Sequence, residues 1–181
     1  MSRKFKNFYE LRTVASDKGE KQIAVYKGGY YRFAVDDRSR SVFALKVFAA
    51  GIIVMVLFII AGMTNGGYSR NLFIVLPFVV QFMPVMLILI SSFPLIRQKG
   101  DLTVPQYKTR FIRIRTMSAI NIFLCAVMIS EAVVFAVAGA VMPVADDLIF
   151  AGCVVLMGSL HVMILFLHRS IGRDIQFLDI I

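Results

Sequence analysis

The sequence predicts an all-α integral membrane protein, a four-helix bundle with both its N and C termini in the cytoplasm. Three observations predict this. Long stretches carry no charge: residues 47–69, 71–96 and 148–167 hold no Asp, Glu, Lys or Arg, and residues 116–145 hold only Glu131. The 181-residue chain is 59% hydrophobic, with a mean hydropathy of +0.78, against about 45–50% apolar residues in soluble domains. Finally, the basic residues are placed very unevenly along the chain.

A helix needs roughly 20 apolar residues to cross a hydrocarbon core of about 30 Å. Four runs of that length predict spans near residues 42–63, 71–95, 117–142 and 148–167. They divide the chain into a basic N-terminal segment 1–41, a membrane domain 42–168 with a basic loop 96–116, and a tail 169–181. The first span follows a long polar segment and exceeds the usual 7–15-residue apolar core of a signal peptide, so it is expected to stay uncleaved.

Segment 1–40, loop 96–116 and the tail after Leu167 together carry eighteen Lys/Arg, whereas connections 64–70 and 143–147 carry one, Arg70. Short loops rich in Lys/Arg stay cytoplasmic, which puts both termini inside and both hairpin tips outside. Lys46 snorkels at the inner end of the first span. The net charge of +9 thus belongs to one face, and it predicts anionic lipid headgroups as a partner and no nucleic acid. Trp is absent, which leaves aromatic anchoring to residues such as Tyr68 and Phe73.

In the N-terminal segment, residues 1–21 mix charges without a sustained period and are expected to be mobile. "IAVYKGGYYRFAV" (residues 23–35) then places β-branched and aromatic residues on both sides of Gly28-Gly29, a signal for a short β-hairpin. A lone hairpin is marginal in water, so it needs the bilayer surface, loop 96–116 or a partner to rest on. The alternative is an aromatic linker lying in the membrane interface.

The outer connection "TNGGYSR" reads as a tight turn, so the first two spans form an antiparallel pair. Pro77 and Pro84 kink the second span, with Gln81 close to their face and Pro94 at the inner end. In loop 96–116, Thr103 and Gln106 form a capping box with Pro105 in the first turn. A helix from there carries Lys108, Arg110, Arg113 and Arg115 into the third span at headgroup level, where they suit lipid phosphate. Pro143 ends the third span, and Asp146 or Asp147 caps the fourth.

Charged groups inside a bilayer are costly and usually face the protein interior. Glu131 is expected a little outward of the midplane, with Gln81 at a similar depth, His161 several ångströms lower and Asn121 one to two turns further in. Three readings of this polar cluster stand side by side. Glu131 is neutral and hydrogen-bonded between helices, or it meets a polar group of another subunit, or it binds a proton or cation during transport. Small multidrug transporters also have four spans and one membrane glutamate, although theirs lies in the first span.

Cys125 and Cys153 are expected about 10 Å apart in depth, too far for a disulfide, and no metal set or cofactor motif is visible. Nucleophile elbow, phosphate loop, HExxH and paired carboxylates are missing, and Ser130 points about 100° from Glu131. These absences predict a non-enzymatic protein. Small residues at Gly152, Gly158, Ala138 and Gly139 suit helix–helix contact. The leading expectation is a subunit or accessory factor that associates with itself or another membrane protein. The alternative is a small proton- or cation-coupled transporter or channel using Glu131.

The order "YKGGYYRF", "VLPFVVQFMPV", "LTVPQYKTRFIRIR" resembles uncharacterised small four-span membrane proteins of Gram-positive, Firmicutes-type bacteria. The resemblance implies a bacterial plasma membrane, and it carries no activity and no functional residues.

Overall fold

The computed structural model describes residues 8–16, 19–67, 71–138, 144–173 and 175–178. Four helices are long and apolar enough to cross a membrane. They are α1 (Asp37–Met63), α2 (Leu72–Arg97), α4 (Arg113–Val137) and α5 (Ala145–Ile171). A short α3 (Val104–Gln106) and a π-helical stretch (Tyr107–Ile112) lead into α4 without a break, making one helical run of 34 residues. The chain is a multi-pass membrane protein.

Short connections make the helices alternate in direction. α1 packs on α2 and α5, and α4 packs on the same two, so the four form a square with α1 and α4 on one diagonal. Each buries one stripe and turns bulky apolar side chains outward, among them Ile59 in α1, Leu76 in α2, Phe123 in α4 and Phe166 in α5. An outward apolar surface suits a bilayer as its solvent.

The helices extend past the expected spans. α1 begins at Asp37, and α5 runs from Ala145 to Ile171. Hydropathy marks where the bilayer ends, and a helix with satisfied backbone bonds continues beyond it. The expected end of the third span at 142, with Gly139 and Pro143, lies outside the described residues, as do Tyr68 and Arg70. Phe73 is exposed.

The N-terminal segment carries an antiparallel strand pair, as the expected short β-hairpin requires, but not at Gly28-Gly29. β1 (Tyr9–Ser16) and β2 (Gly19–Tyr26) form an antiparallel pair with Tyr9 opposite Tyr26 and Arg12 opposite Ile23. Part of the segment expected to be mobile is therefore a strand. Gly28-Gly29 does not close a hairpin, because β3 (Tyr30–Phe33) leaves β2 and joins another sheet. In it β3 lies between β4 (Leu102–Thr103) and β5 (Ile175–Leu178), antiparallel to both. The glycines are there for close approach: a Cβ on Gly29 would stand 2.4 Å from the Phe177 ring, and one on Gly28 2.5 Å from the Tyr26 hydroxyl.

One strand of this sheet comes from the N-terminal segment, one from loop 96–116 and one from the tail, so all three meet at one end of the bundle. Aromatic stacking fixes the sheet to the helices. Tyr31 stacks on Tyr107 at 4.0 Å between ring centroids, and Phe33 meets Phe111 edge-on at 5.0 Å. Tyr26 donates its hydroxyl to the Gly29 carbonyl at 2.8 Å and accepts the Val104 N–H at 3.0 Å. Burial raises the Tyr26 pKa above its ordinary value.

The capping box stands as expected. Gln106 N–H donates to Thr103 Oγ1 at 3.4 Å, and Gln106 Oε1 accepts the Thr103 N–H at 3.1 Å. The π-helical stretch after it has no counterpart in the sequence reading. Side chains reach carbonyls in and beside this wider turn: Thr109 donates to Pro105 O at 2.7 Å, Ser91 to Thr109 O at 3.3 Å, and His168 Nε2 to Phe111 O at 3.1 Å.

Arg40 fixes the end of α2. It is 2% exposed, and its guanidinium donates to the carbonyls of Gly100 and Gln98 and to the Asp37 carboxylate, each at 2.8 Å. The Asp37 carboxylate in turn accepts the Gly100 N–H at 3.1 Å. Gly100 has φ 71°, a conformation that favours glycine.

Candidate functional site: a polar layer inside the bundle

Two apolar clusters fill the bundle. Away from the sheet they include Val54, Val85, Cys125, Met128 and Met157, and toward the sheet Ala50, Ile88, Ile114 and Ile164. Between them on α4 come Ser118 and Asn121, and on α5 comes His161, all 0% exposed. Residues 114, 118, 121, 125, 128 and 132 form the buried stripe of α4, spaced three and four apart as one helix face requires. The polar side chains therefore occupy core positions of an otherwise apolar stripe.

Gln81 joins this layer from α2. It is 0% exposed, on a buried face shared with Pro77 and Pro84 inside one continuous helix. Its Nε2 donates to Cys125 Sγ at 3.1 Å. A Cβ on Gly158 would lie 3.4 Å from Cys125 Cβ, so Gln81, Cys125 and Gly158 share one level. Asn121 lies four residues nearer the sheet than Cys125 and His161 three residues nearer it than Gly158, about 6 and 4.5 Å at the helical rise of 1.5 Å per residue. These two face the core at nearly the same depth.

The layer holds unfulfilled hydrogen-bonding capacity. Gln81 Oε1, Ser118 Oγ, both amide atoms of Asn121 and both ring nitrogens of His161 are buried with no partner. Such groups inside a bilayer are costly. Donors and acceptors are both present and no formal charge is fixed, so the layer suits water, a proton or another small polar species.

Glu131 does not belong to it. It lies six residues farther from the sheet than Cys125, about 9 Å along the axis, and not at the depth of Gln81. It is half-buried on the flank of α4, about 100° from Ala132 of the buried stripe. Ile129, Ala132 and Val133 line a cleft against α5, and Glu131 projects to the other side of α4. Among the described residues it makes no hydrogen bond or ion pair. Sequence distance fixes depth only roughly when spans start at different heights, and the Gln81–Cys125 contact supplies the missing register. Ser130 donates to the Ala126 carbonyl at 2.8 Å.

The helix-hairpin tips opposite the sheet are clasped by the two aspartates. Asp147, 1% exposed, accepts the Val144 N–H at 3.1 Å and the Gly67 N–H at 3.2 Å, while Asp146 accepts the Asn65 N–H at 3.1 Å. Neither aspartate is the expected cap: Val144 is the N-cap of α5 and both aspartates already lie inside its first turn, so Asp147 reaches back to the N–H of the N-cap residue while also holding the opposite loop. Both cysteines are buried and free.

The basic residues entering α4 separate. Arg110 donates to Gln98 Oε1 at 2.5 Å, Lys108 is exposed and Arg113 half-buried, and Arg115 lines a cleft with Arg169 and Arg173 from the end of α5. Sequence reasoning missed Ser118, Cys125 as the partner of Gln81, and Arg169 and Arg173. The 118–121–125 spacing was the available signal for the first two, and no local pattern ties the tail arginines to Arg115. No protein-family model, curated protein or solved structure matches the chain.

Proposed function

We propose that this is a non-enzymatic membrane subunit that works by helix association, with the outer face of α4 as its contact surface and Glu131 as its polar anchor. The observation that carries this reading is Glu131 itself, a carboxyl group on a membrane-facing flank with no partner in its own described chain. A polar group in hydrocarbon seeks a hydrogen bond from a neighbouring helix. The third span is also the least covered, with 17% of its apolar window buried against 33% for each of the others. Its outer face carries the exposed small residues Ala119, Ala126 and Ser130, which allow close helix approach. Gly152 is also free to contribute, with nothing within 4 Å of a Cβ placed on it, whereas Gly158 is spent on Cys125.

The sheet end, with its concentration of Lys and Arg, faces the cytoplasm in this reading, and the membrane is a bacterial plasma membrane. The test is crosslinking in native membranes followed by native electrophoresis. A discrete complex is expected that Glu131→Leu disperses and Glu131→Gln, which keeps hydrogen-bonding capacity, largely preserves. Recovery of monomer alone sinks the proposal.

The buried polar layer favours a second reading, a small proton- or cation-coupled transporter or channel centred on Gln81, Asn121, Ser118 and His161 rather than on Glu131. It requires flux in liposomes that His161→Ala or Asn121→Leu abolishes without unfolding the protein. Absence of flux from the folded wild type removes this reading.

A further inference from the structure

We propose that the cleft between the inner ends of α4 and α5 binds the phosphate headgroup of an anionic membrane lipid. This inference is independent of any partner chain. The cleft encloses about 740 Å³ and is lined by Arg115, Arg169 and Arg173 together with Ile112, Leu165 and Phe166. No Asp or Glu is among its described lining residues, and none of the three guanidiniums takes part in an ion pair among the described residues. All three arginines are exposed, so their donors are open to a ligand. Planar guanidiniums match phosphate oxygens two bonds at a time.

The floor is rigid. Phe111 and His168 lie ring against ring at 3.9 Å, and His168 Nε2 is committed to the Phe111 carbonyl. The charged ligand contacts come from the arginines. The choice of a lipid over a soluble anion follows from what adjoins them. Phe166, 68% exposed, precedes Arg169 by one helical turn, so an anion seated on Arg169 and Arg173 has an apolar track beside it for its acyl chain. Arg169 stands in the last turn of the helix, the height of a headgroup. Of the four basic residues expected to hold lipid phosphate, only Arg115 lines this cleft. Its companions come from the far end of the chain.

The test is native mass spectrometry of the full chain in detergent, titrated with phosphatidylglycerol or phosphatidylcholine. Phosphatidylglycerol should remain bound under conditions that strip phosphatidylcholine. Arg115→Gln, Arg169→Gln and Arg173→Gln combined should weaken it on the order of a hundredfold, at about fivefold per basic residue. A charge-matched control, Lys46→Gln, Lys99→Gln and Lys108→Gln combined, should leave it nearly unchanged. If the triple cleft variant does not fold, Arg169→Gln alone carries the test, with about fivefold weakening expected. Equal retention of the two lipids, equal loss in the control, or no loss in the cleft variants overturns the proposal. So does displacement of the lipid by inorganic phosphate, which would identify a soluble-anion site.

Discussion

The amide of Gln81 donates to the thiol of Cys125 across 3.1 Å in the buried centre of the bundle. This contact sets the register of α2 against α4. It also gives opposite signs for two substitutions. Cys125→Ala removes the acceptor and leaves a buried amide N–H unpaired, an expected loss of about 1–3 kcal/mol. Gln81→Leu removes the buried amide altogether, and stability should stay level or rise. Thermal unfolding in detergent measures both, and a large loss for Gln81→Leu would mean that the amide is held by more than this bond.

The Asp147 clasp is testable as a coupled pair. A Cβ on Gly66 would stand 2.1 Å from Asp147 Oδ1, so Gly66→Ala must displace the carboxylate from its loop donors. We expect Asp147→Ala to cost about 2 kcal/mol through its lost backbone bonds. Gly66→Ala added to it should cost much less than in the wild type. Additive effects in the double-mutant cycle would show that the two do not share one contact.

Arg40 makes the sharpest stability prediction at the sheet end. Arg40→Met strands two carbonyls and a carboxylate that a 2%-exposed guanidinium had satisfied, at an expected cost of about 3 kcal/mol. Arg40→Lys should recover only part of this, because one ammonium cannot reproduce the forked geometry. Complete recovery in a thermal melt would reduce the role of Arg40 to charge.

The β1–β2 pair should loosen in acid. The hydrogen bond from Lys27 Nζ, at 2.6 Å, holds the Glu10 carboxyl below its ordinary value of 4.5, with Arg12 adding to the shift. A depressed carboxylate stabilises the fold above its unfolded pKa, and the benefit is lost as pH falls through the folded value. Amide exchange of residues 9–13 and 22–26, corrected for intrinsic rates, should therefore be less protected at about pH 3 than at pH 6. Glu10→Gln should flatten the difference, and an unchanged pH response in that variant would assign it to another group.

The four spans, the capping box at Thr103 and the aspartate at the start of α5 could be read from local pattern. Each rests on residues within a few positions of one another: an uninterrupted apolar run, a Thr–Gln pair three apart, a carboxylate in a first turn. The strands could not be read so. β3 is four residues long and finds its partners in loop 96–116 and in the tail, so Gly28-Gly29 looked like a turn within one hairpin. The π-helical stretch likewise depends on carbonyl partners from α2 and α5.

The sequence by itself determined that this chain crosses a membrane four times and concentrates its basic residues at one end, because burial in hydrocarbon acts on each apolar run independently. Only the tertiary structure decided which intramembrane polar residues face the core. It set Gln81, Asn121, Ser118 and His161 in one buried layer, left Glu131 on an outer flank, and brought Arg115 beside Arg169 and Arg173. Helix register and rotation depend on packing between neighbours, where an axial offset of one turn, about 5.4 Å, changes every partner, and no single span contains that information.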